Sequence, residues 1–148
     1  MPDFPRPNRF MGFLYSVGLG PLVGRVVLLL TTKGRRTGLP RVTPLQYEEV
    51  DGAVYVGSMR GTRADWFRNL VANPDVEVRV KSRRFRGTAE AFTDAGRIAD
   101  FLEFRLERHP RMLGAILRSE GLPRRPDRAQ LERYAEKKAV VKITPRAD

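Results

Sequence analysis

Residues 40–58, PRVTPLQYEEVDGAVYVGS, contain two extended runs joined by the dipeptide Asp51-Gly52. A two-residue connection of this kind needs positive φ at both positions. Glycine takes that conformation freely, aspartate tolerates it, and the turn twists in the sense that antiparallel strands require. The stretch therefore predicts a β-hairpin. Pro44 has no N–H to give to a ladder, so the middle of the first run is expected at a sheet edge or a bulge.

Upstream, RVVLLLTT (25–32) is short, β-branched and leucine-rich and reads as a buried strand. Before it, NRFMGFLYSVGL (8–19) spaces Phe10, Phe13, Leu14 and Val17 along one helical face, with Asn8 as a possible cap and Pro21 as a stop. Downstream, RADWFRNLVANP (63–74) has helical spacing, with Trp66, Phe67 and Leu70 facing inward and Asn73-Pro74 ending the helix. DVEVRVKSRRFRGTAEAF (75–92) returns to period two, and a turn near Ser82-Arg83 is expected to fold it into a second hairpin. An amphipathic helix begun by Thr93 or Asp94 follows, then a short helix over RMLGAILRSE, a helical turn or two over RAQLERYAEK, and a last strand, KAVVKITP.

Six strands joined mostly by tight turns leave few places for a right-handed β-α-β crossover. The order predicts a mostly β protein with helices: an antiparallel barrel or curled sheet of about six strands. Residues 1–148 are expected to form a single domain, with residues 1–20 as an N-terminal amphipathic helical segment.

Composition narrows the chemistry. The chain has no cysteine, hence no disulfide framework, thiolate metal site or cysteine nucleophile, and its only histidine, His109, rules out a histidine-rich metal centre. His109 precedes Pro110 at a helix end, where histidine is usually a capping or surface residue. No secretory h-region and no apolar run near ~18 residues is visible, so a cytoplasmic location is expected. The net charge of +11 asks for an anionic counterpart: nucleic acid, an anionic membrane surface or a polyanionic small ligand. General use of arginine would also produce it.

Between the first two strands, KGRRTG (33–38) with Arg41 gathers Lys33, Arg35, Arg36 and Arg41 around a glycine-permitted turn. Backbone N–H groups of such a turn can face an anion, and arginines supply bidentate donors to phosphate oxygens. Taken alone, a turn of this kind is more often a solvated hairpin end. Nucleotide-binding glycine loops and a G-x-S-x-G nucleophile motif are absent, and no pair of carboxylates is spaced for acid–base work. Any redox or transfer chemistry here would have to be carried by a cofactor.

LLLTTKGRRTGLPRVTPL, then DGAVYVGS, then DWFRNLVANPDVEV resembles the deazaflavin-dependent nitroreductase family, also called F420H2-dependent quinone reductases. The resemblance is clear from about residue 25 to residue 90. It implies a split β-barrel like that of FMN-binding oxidases and reductases, in agreement with the barrel read from strand order. It also implies roles. Arg35, Arg36, Thr37 and Arg41 match the stretch that holds the phosphate and acidic tail of coenzyme F420, and Lys33 stands beside them. Pro44 and Leu45 match the strand beside the deazaflavin ring. Val56, Gly57 and Ser58 match the strand end facing the ring, with Ser58 as an orienting group and no protein acid or base. Arg60 follows Met59, where many members carry lysine. Trp66 and Asn69 match the helix packed near the cofactor, although a lone tryptophan on a helix face is most often core. Gln46 stands where many members carry an aromatic residue toward the substrate, and Tyr134 is the one tyrosine of the late region.

The implied activity is hydride transfer from reduced coenzyme F420 to a small electrophile such as a quinone or nitro compound. The alternative is a non-catalytic or differently loaded barrel holding FMN, haem or a lipid. Nucleic-acid binding is disfavoured, because the basic stretches lack interleaved aromatic stacking platforms. Residues 1–18, with Arg6 and Arg9 beside an apolar face, would either cover the barrel mouth or make weak peripheral membrane contact.

Overall fold

The computed structural model describes residues 27–58, 60–123 and 125–146. The N-terminal helix expected over residues 8–19 lies outside the described residues, and so does the question of its membrane contact. Among the described residues six strands form: β1 (Val27–Lys33), β2 (Pro40–Val50), β3 (Ala53–Ser58), β4 (Asp75–Val80), β5 (Arg83–Phe92) and β6 (Ala139–Pro145). All pairings are antiparallel, and the order β1-β2-β3-β6-β5-β4 closes on itself through β1 and β4. Closure gives every strand a neighbour on both sides and explains why so small a sheet can enclose a core.

The founding hairpin forms as its sequence demands: Asp51 and Gly52 sit at φ 50° and 81°, and Val50 pairs with Ala53. Pro44 produces no bulge. Its register with Leu29 is continuous with the rest of the β1–β2 ladder. The other expectation for it, an edge, holds in a local sense. β3 pairs with β2 only from Tyr47 onward, so the first half of β2 has one neighbour along the ladder. The second hairpin turns at Lys81-Ser82 rather than Ser82-Arg83, with Val80 paired to Arg83 and Lys81 at φ 55°. Its basic end is wet: Arg83 and Arg84 are exposed and pair with exposed Glu49 and half-buried Glu77.

Among the described residues four helices follow the sequence pattern. α1 (Asp65–Ala72), preceded by a single 3-10 turn at Gly61–Arg63, buries Trp66, Phe67 and Leu70. α2 (Ala95–Arg108) starts at Asp94, whose side chain accepts from the Arg97 N–H. α3 (Pro110–Ser119) begins with proline, which lacks the N–H a first helical position would leave unpaired. α4 (Arg128–Ala135) has a reciprocal capping box between Asp127 and Gln130.

Strand alternation divides the apolar residues into two cores. Leu28, Leu30, Val54, Val56, Val78 and Ile143 fill the barrel, with Trp66 and Leu70 of α1 packed against them. Ile98, Leu102, Leu113, Leu117 and Leu131 form a second core among α2, α3 and α4. β6 serves both, since Val141 and Ile143 point into the barrel and Val140 points to the helices. Full burial of each such side chain contributes roughly 1.5–3 kcal/mol. The helical layer thus leans on the outer face of the barrel, and the seam between them is where a cavity opens. No helix among the described residues is long and apolar enough to cross a membrane.

Candidate active site

A cavity of about 740 Å³ lies in that seam. This is within the ~300–1,000 Å³ usual for small-molecule and cofactor sites. β2 contributes Thr43, Pro44, Leu45 and Gln46, and the end of β3 contributes Gly57 and Ser58. Arg60, Asp65 and Trp66 come from the 3-10 turn and the start of α1. The opposite wall is helical, with Phe101, Leu102 and Arg105 from α2, Leu113, Ile116 and Leu117 from α3, and Tyr134 from α4. The walls are mainly apolar, with a few polar groups converging on them. Such a site suits a flat ring system held by stacking and oriented by isolated donors.

The β3 end is shaped by one hydrogen bond. Ser58 Oγ donates to the Gly61 carbonyl at 2.7 Å and holds the strand against the 3-10 turn. Its proton is therefore in use, and toward a ligand the hydroxyl can offer only lone pairs. Val56 does not reach the cavity; it is fully buried in the barrel core. Trp66 is nine-tenths buried in the core cluster and also lines the cavity.

The cationic hairpin lies outside the cavity. Gly34 permits its tight form, because a side chain there would meet Thr37 Oγ1 at 2.9 Å and the Leu39 carbonyl at 3.0 Å. Thr37 Oγ1 also accepts from the Leu39 N–H. Arg35 is tied down. Its backbone N–H and its Nη1 both donate to Asn69 Oδ1, at 3.2 and 2.8 Å, and its Nη2 pairs with Asp65 at 3.2 Å. Asn69 is buried, and its amide also donates to Thr32 Oγ1. It is thus the bolt between hairpin and α1. Lys33, Arg36 and Arg41 are exposed and form no ion pair with a described residue. Asp65 joins the two regions, since it lines the cavity and holds Arg35.

At the far helical wall, Tyr134 is half-buried. Burial first, and the nearby Glu120 carboxylate second, push its phenol above the ordinary tyrosine range. Lys138 reaches Glu120 at 3.1 Å and sits 4.8 Å from the centre of the Tyr134 ring.

With this geometry in place, comparison with known proteins is decisive. A family model described as F420H(2)-dependent quinone reductase matches residues 15–111. The chain belongs to that family. F420H(2)-dependent quinone reductase Rv1261c of Mycobacterium tuberculosis (strain ATCC 25618 / H37Rv) is 41% identical over 66 residues, which are 43% of this chain and 44% of that protein. The match thus spans less than half of the curated relative. Among solved structures, an F420 reductase superposes with a TM-score of 0.53 at 21% identity, covering 82% of this chain and 87% of that one. HutZ, the heme storage protein from Vibrio cholerae, gives 0.57 at 14% identity, covering 86% and 88%. Likeness at these identities is one of fold, and it is the split barrel.

Within the F420H(2)-dependent quinone reductase family frame, the structure sorts the expected site residues into three places. Pro44, Leu45, Gln46, Gly57, Ser58, Arg60, Trp66 and Tyr134 line one cavity. Lys33, Arg35, Arg36, Thr37 and Arg41 form the hairpin beside it, and Val56 and Asn69 are buried beneath. Glu48, Arg105 and Arg108, which the sequence did not single out, meet at the helical wall, with Arg105 lining the cavity. The Glu48 side chain is 3% exposed, and its carboxylate receives Arg105 Nε at 3.3 Å, His109 Nε2 at 2.8 Å and Arg108 Nη1 at 3.4 Å. His109 does stand at the α2–α3 junction, as its place before Pro110 suggests, but it also pairs with this buried acid. The one available signal was the Glu48-Glu49 pair inside a strand otherwise expected to be half-apolar. Among the described residues, no three His, Cys, Asp or Glu side chains gather to hold a metal ion.

Proposed function

We propose that this chain reduces a quinone-like acceptor with reduced coenzyme F420 bound across the cavity and the cationic hairpin. The observation that carries the reading is the Asp65 link. An apolar cavity with room for a ring system shares that residue with a loop presenting Lys33, Arg36 and Arg41 to solvent. A ligand with a flat redox ring at one end and a phosphate and carboxylates at the other has the matching distribution of polarity. When bound, the deazaflavin would supply a hydride.

The chain's own residues have simpler tasks. Arg36 and Arg41 would take the phosphate and acidic tail, each charge-assisted contact contributing about 1.5–3 kcal/mol. Arg35 is engaged with Asn69 and Asp65 and fixes the loop that carries the others. Pro44, Leu45 and Trp66 would pack on the ring and exclude water, which favours close approach of donor and acceptor. Gln46, exposed toward the cavity, offers an amide that can donate to a carbonyl oxygen and no face for stacking. A quinone suits it better than a bulky bicyclic nitro compound.

Titration of the apoprotein with coenzyme F420, followed by fluorescence and run beside FMN, tests the cofactor. Arg36→Ala and Arg41→Ala are each expected to weaken coenzyme binding by roughly 10-fold or more. Unchanged affinity in both would remove the cradle, and tighter binding of FMN would replace the cofactor. With reduced coenzyme supplied, kcat/KM for menadione is expected to exceed that for a nitroimidazole; the reverse order overturns the acceptor class.

A further inference from the structure

Arg105 is held in an unusual way for a side chain facing a cavity. Only 11% of it is exposed, and only its Nε is committed, to Glu48 at 3.3 Å. Its two terminal NH2 groups make no hydrogen bond or ion pair with any described residue, while the side chain lines the 740 Å³ cavity. The Phe101 ring lies 5.9 Å from its guanidinium carbon and adds an apolar wall.

Charge balance around it is incomplete. Glu48 supplies one negative charge to two permanent cations, Arg105 and Arg108. Arg108 is half exposed, so water can solvate its share. Arg105 is little exposed and keeps an unspent positive charge, with two terminal NH2 groups free of described partners on a side chain that lines the cavity. A buried donor set of that kind is at its most favourable when the cavity contains negative charge on oxygen. Gln46 is two residues before Glu48 on the same strand, hence on the same face, and lines the same cavity. An amide from β2 and a guanidinium from α2 therefore line one cavity.

We infer that Arg105 is an oxyanion donor for the acceptor, held in place by Glu48, so that the pocket selects acceptors whose oxygen becomes anionic as they are reduced. The inference rests on reading the cavity as the acceptor site. A quinone that receives a hydride gains two electrons and one hydrogen, and one oxygen becomes a phenolate. Arg105 stabilises that oxygen through an N–H, and a proton from solvent then completes the hydroquinone. Because the charge exists only at and after hydride arrival, the guanidinium acts on the transition state more than on the bound quinone.

A probe that carries the charge from the start tests this without any coenzyme. 2-Hydroxy-1,4-naphthoquinone forms an anion that absorbs in the visible, so its ionisation can be followed when bound. The native chain should bind the anion and shift the ionisation to lower pH. Arg105→Gln should weaken the anion about 10-fold or more while changing the affinity for menadione, which has no ionisable group, less than about threefold. Glu48 keeps Arg108 and His109 in that variant, which protects the fold. Should Arg105→Gln not fold, Arg105→Lys carries the test, and its single-point donor must weaken the anion at least about threefold. Equal anion affinity in native chain and variant, or equal losses for anion and menadione, overturns the inference. With coenzyme supplied, Arg105→Gln should lower kcat for menadione about 100-fold and move KM less. A pocket that takes the anion through Arg105 but never oxidises the reduced coenzyme would overturn the proposed reduction and leave this donor standing.

Discussion

Arg35 and Arg105 each pair with one carboxylate, and the two pairs sit in very different surroundings. Asp65, the partner of Arg35, is 84% exposed, whereas Glu48, the partner of Arg105, is 3% exposed. Around Arg35 the geometry is set by a neutral amide, Asn69, with the ion pair as an addition at the surface. Around Arg105 the carboxylate is the organising group, and three side chains from the α2–α3 region converge on it. The hairpin is thus a loop fixed by a hydrogen-bonded bolt that leaves its other cations to solvent. The helical wall is fixed by a buried charge that cannot be left alone. An anion offered to the first region meets exposed cations; one offered to the second meets a side chain that is only 11% exposed.

The sharpest way to break this contrast is to remove the two carboxylates in turn. Glu48→Ala leaves Arg105 buried with no counter-charge, and breaking a buried pair from one side typically costs about 3–5 kcal/mol. Asp65→Ala removes an exposed pair and is expected to cost less than about 1 kcal/mol. Urea denaturation of both variants compares the midpoints at equal slope. Similar losses in the two would show that burial does not separate the regions.

A second, smaller effect is expected at the bolt. Asn69→Ala strands the Arg35 N–H and removes the partner of the buried Thr32 hydroxyl, for about 2–3 kcal/mol. Its distinguishing sign is local. Amide exchange should quicken in residues 33–41 more than in α2 and α3, because the partners of this side chain, Arg35 and Thr32, lie in or beside the hairpin. Uniform quickening across the chain would mean that Asn69 supports the whole barrel and not the loop.

The same contrast explains what was legible in the sequence. The fold was, because its signals are local: Asp51-Gly52 fixes a hairpin, Val76, Val78 and Val80 fix a strand face, and Asp94 is one of the two residues offered as a helix start. The hairpin cations were legible for the same reason, since they are neighbours in the chain. What Arg35 does with its charge was not, because Asn69 lies 34 residues away. The Glu48 node was invisible for the stronger reason that its members are 57 or more residues from the acid and sit on a helix whose rotation no motif fixes. Pro44 shows a local rule that held in part: it forbids a ladder donor, and a strand half with a single neighbour satisfies that without a bulge.

The smallest effect separates the regions by pH. Tyr134, on the helical wall, has its phenol pushed above the ordinary tyrosine range by burial and then by Glu120. Tyr47 on β2 shifts the same way, chiefly through burial and next through Glu49. For a group raised in the folded state, the stabilisation is complete below its unfolded pKa, about 10 for tyrosine, and is lost as pH climbs toward the folded value. The unfolded chain releases its proton first, so alkali favours unfolding. Tyr134→Phe cannot release that proton in either state. Its stability should therefore fall less than that of the native chain above about pH 10, while the two remain nearly parallel below about pH 9. The difference should stay under about 1 kcal/mol, since the ring is only half-buried and water screens part of the effect. Thermal unfolding midpoints measured across the alkaline range provide the comparison. Curves that stay parallel throughout would mean that the Tyr134 phenol is as free to ionise in the folded wall as in the open chain, and that the wall excludes less water than its packing implies.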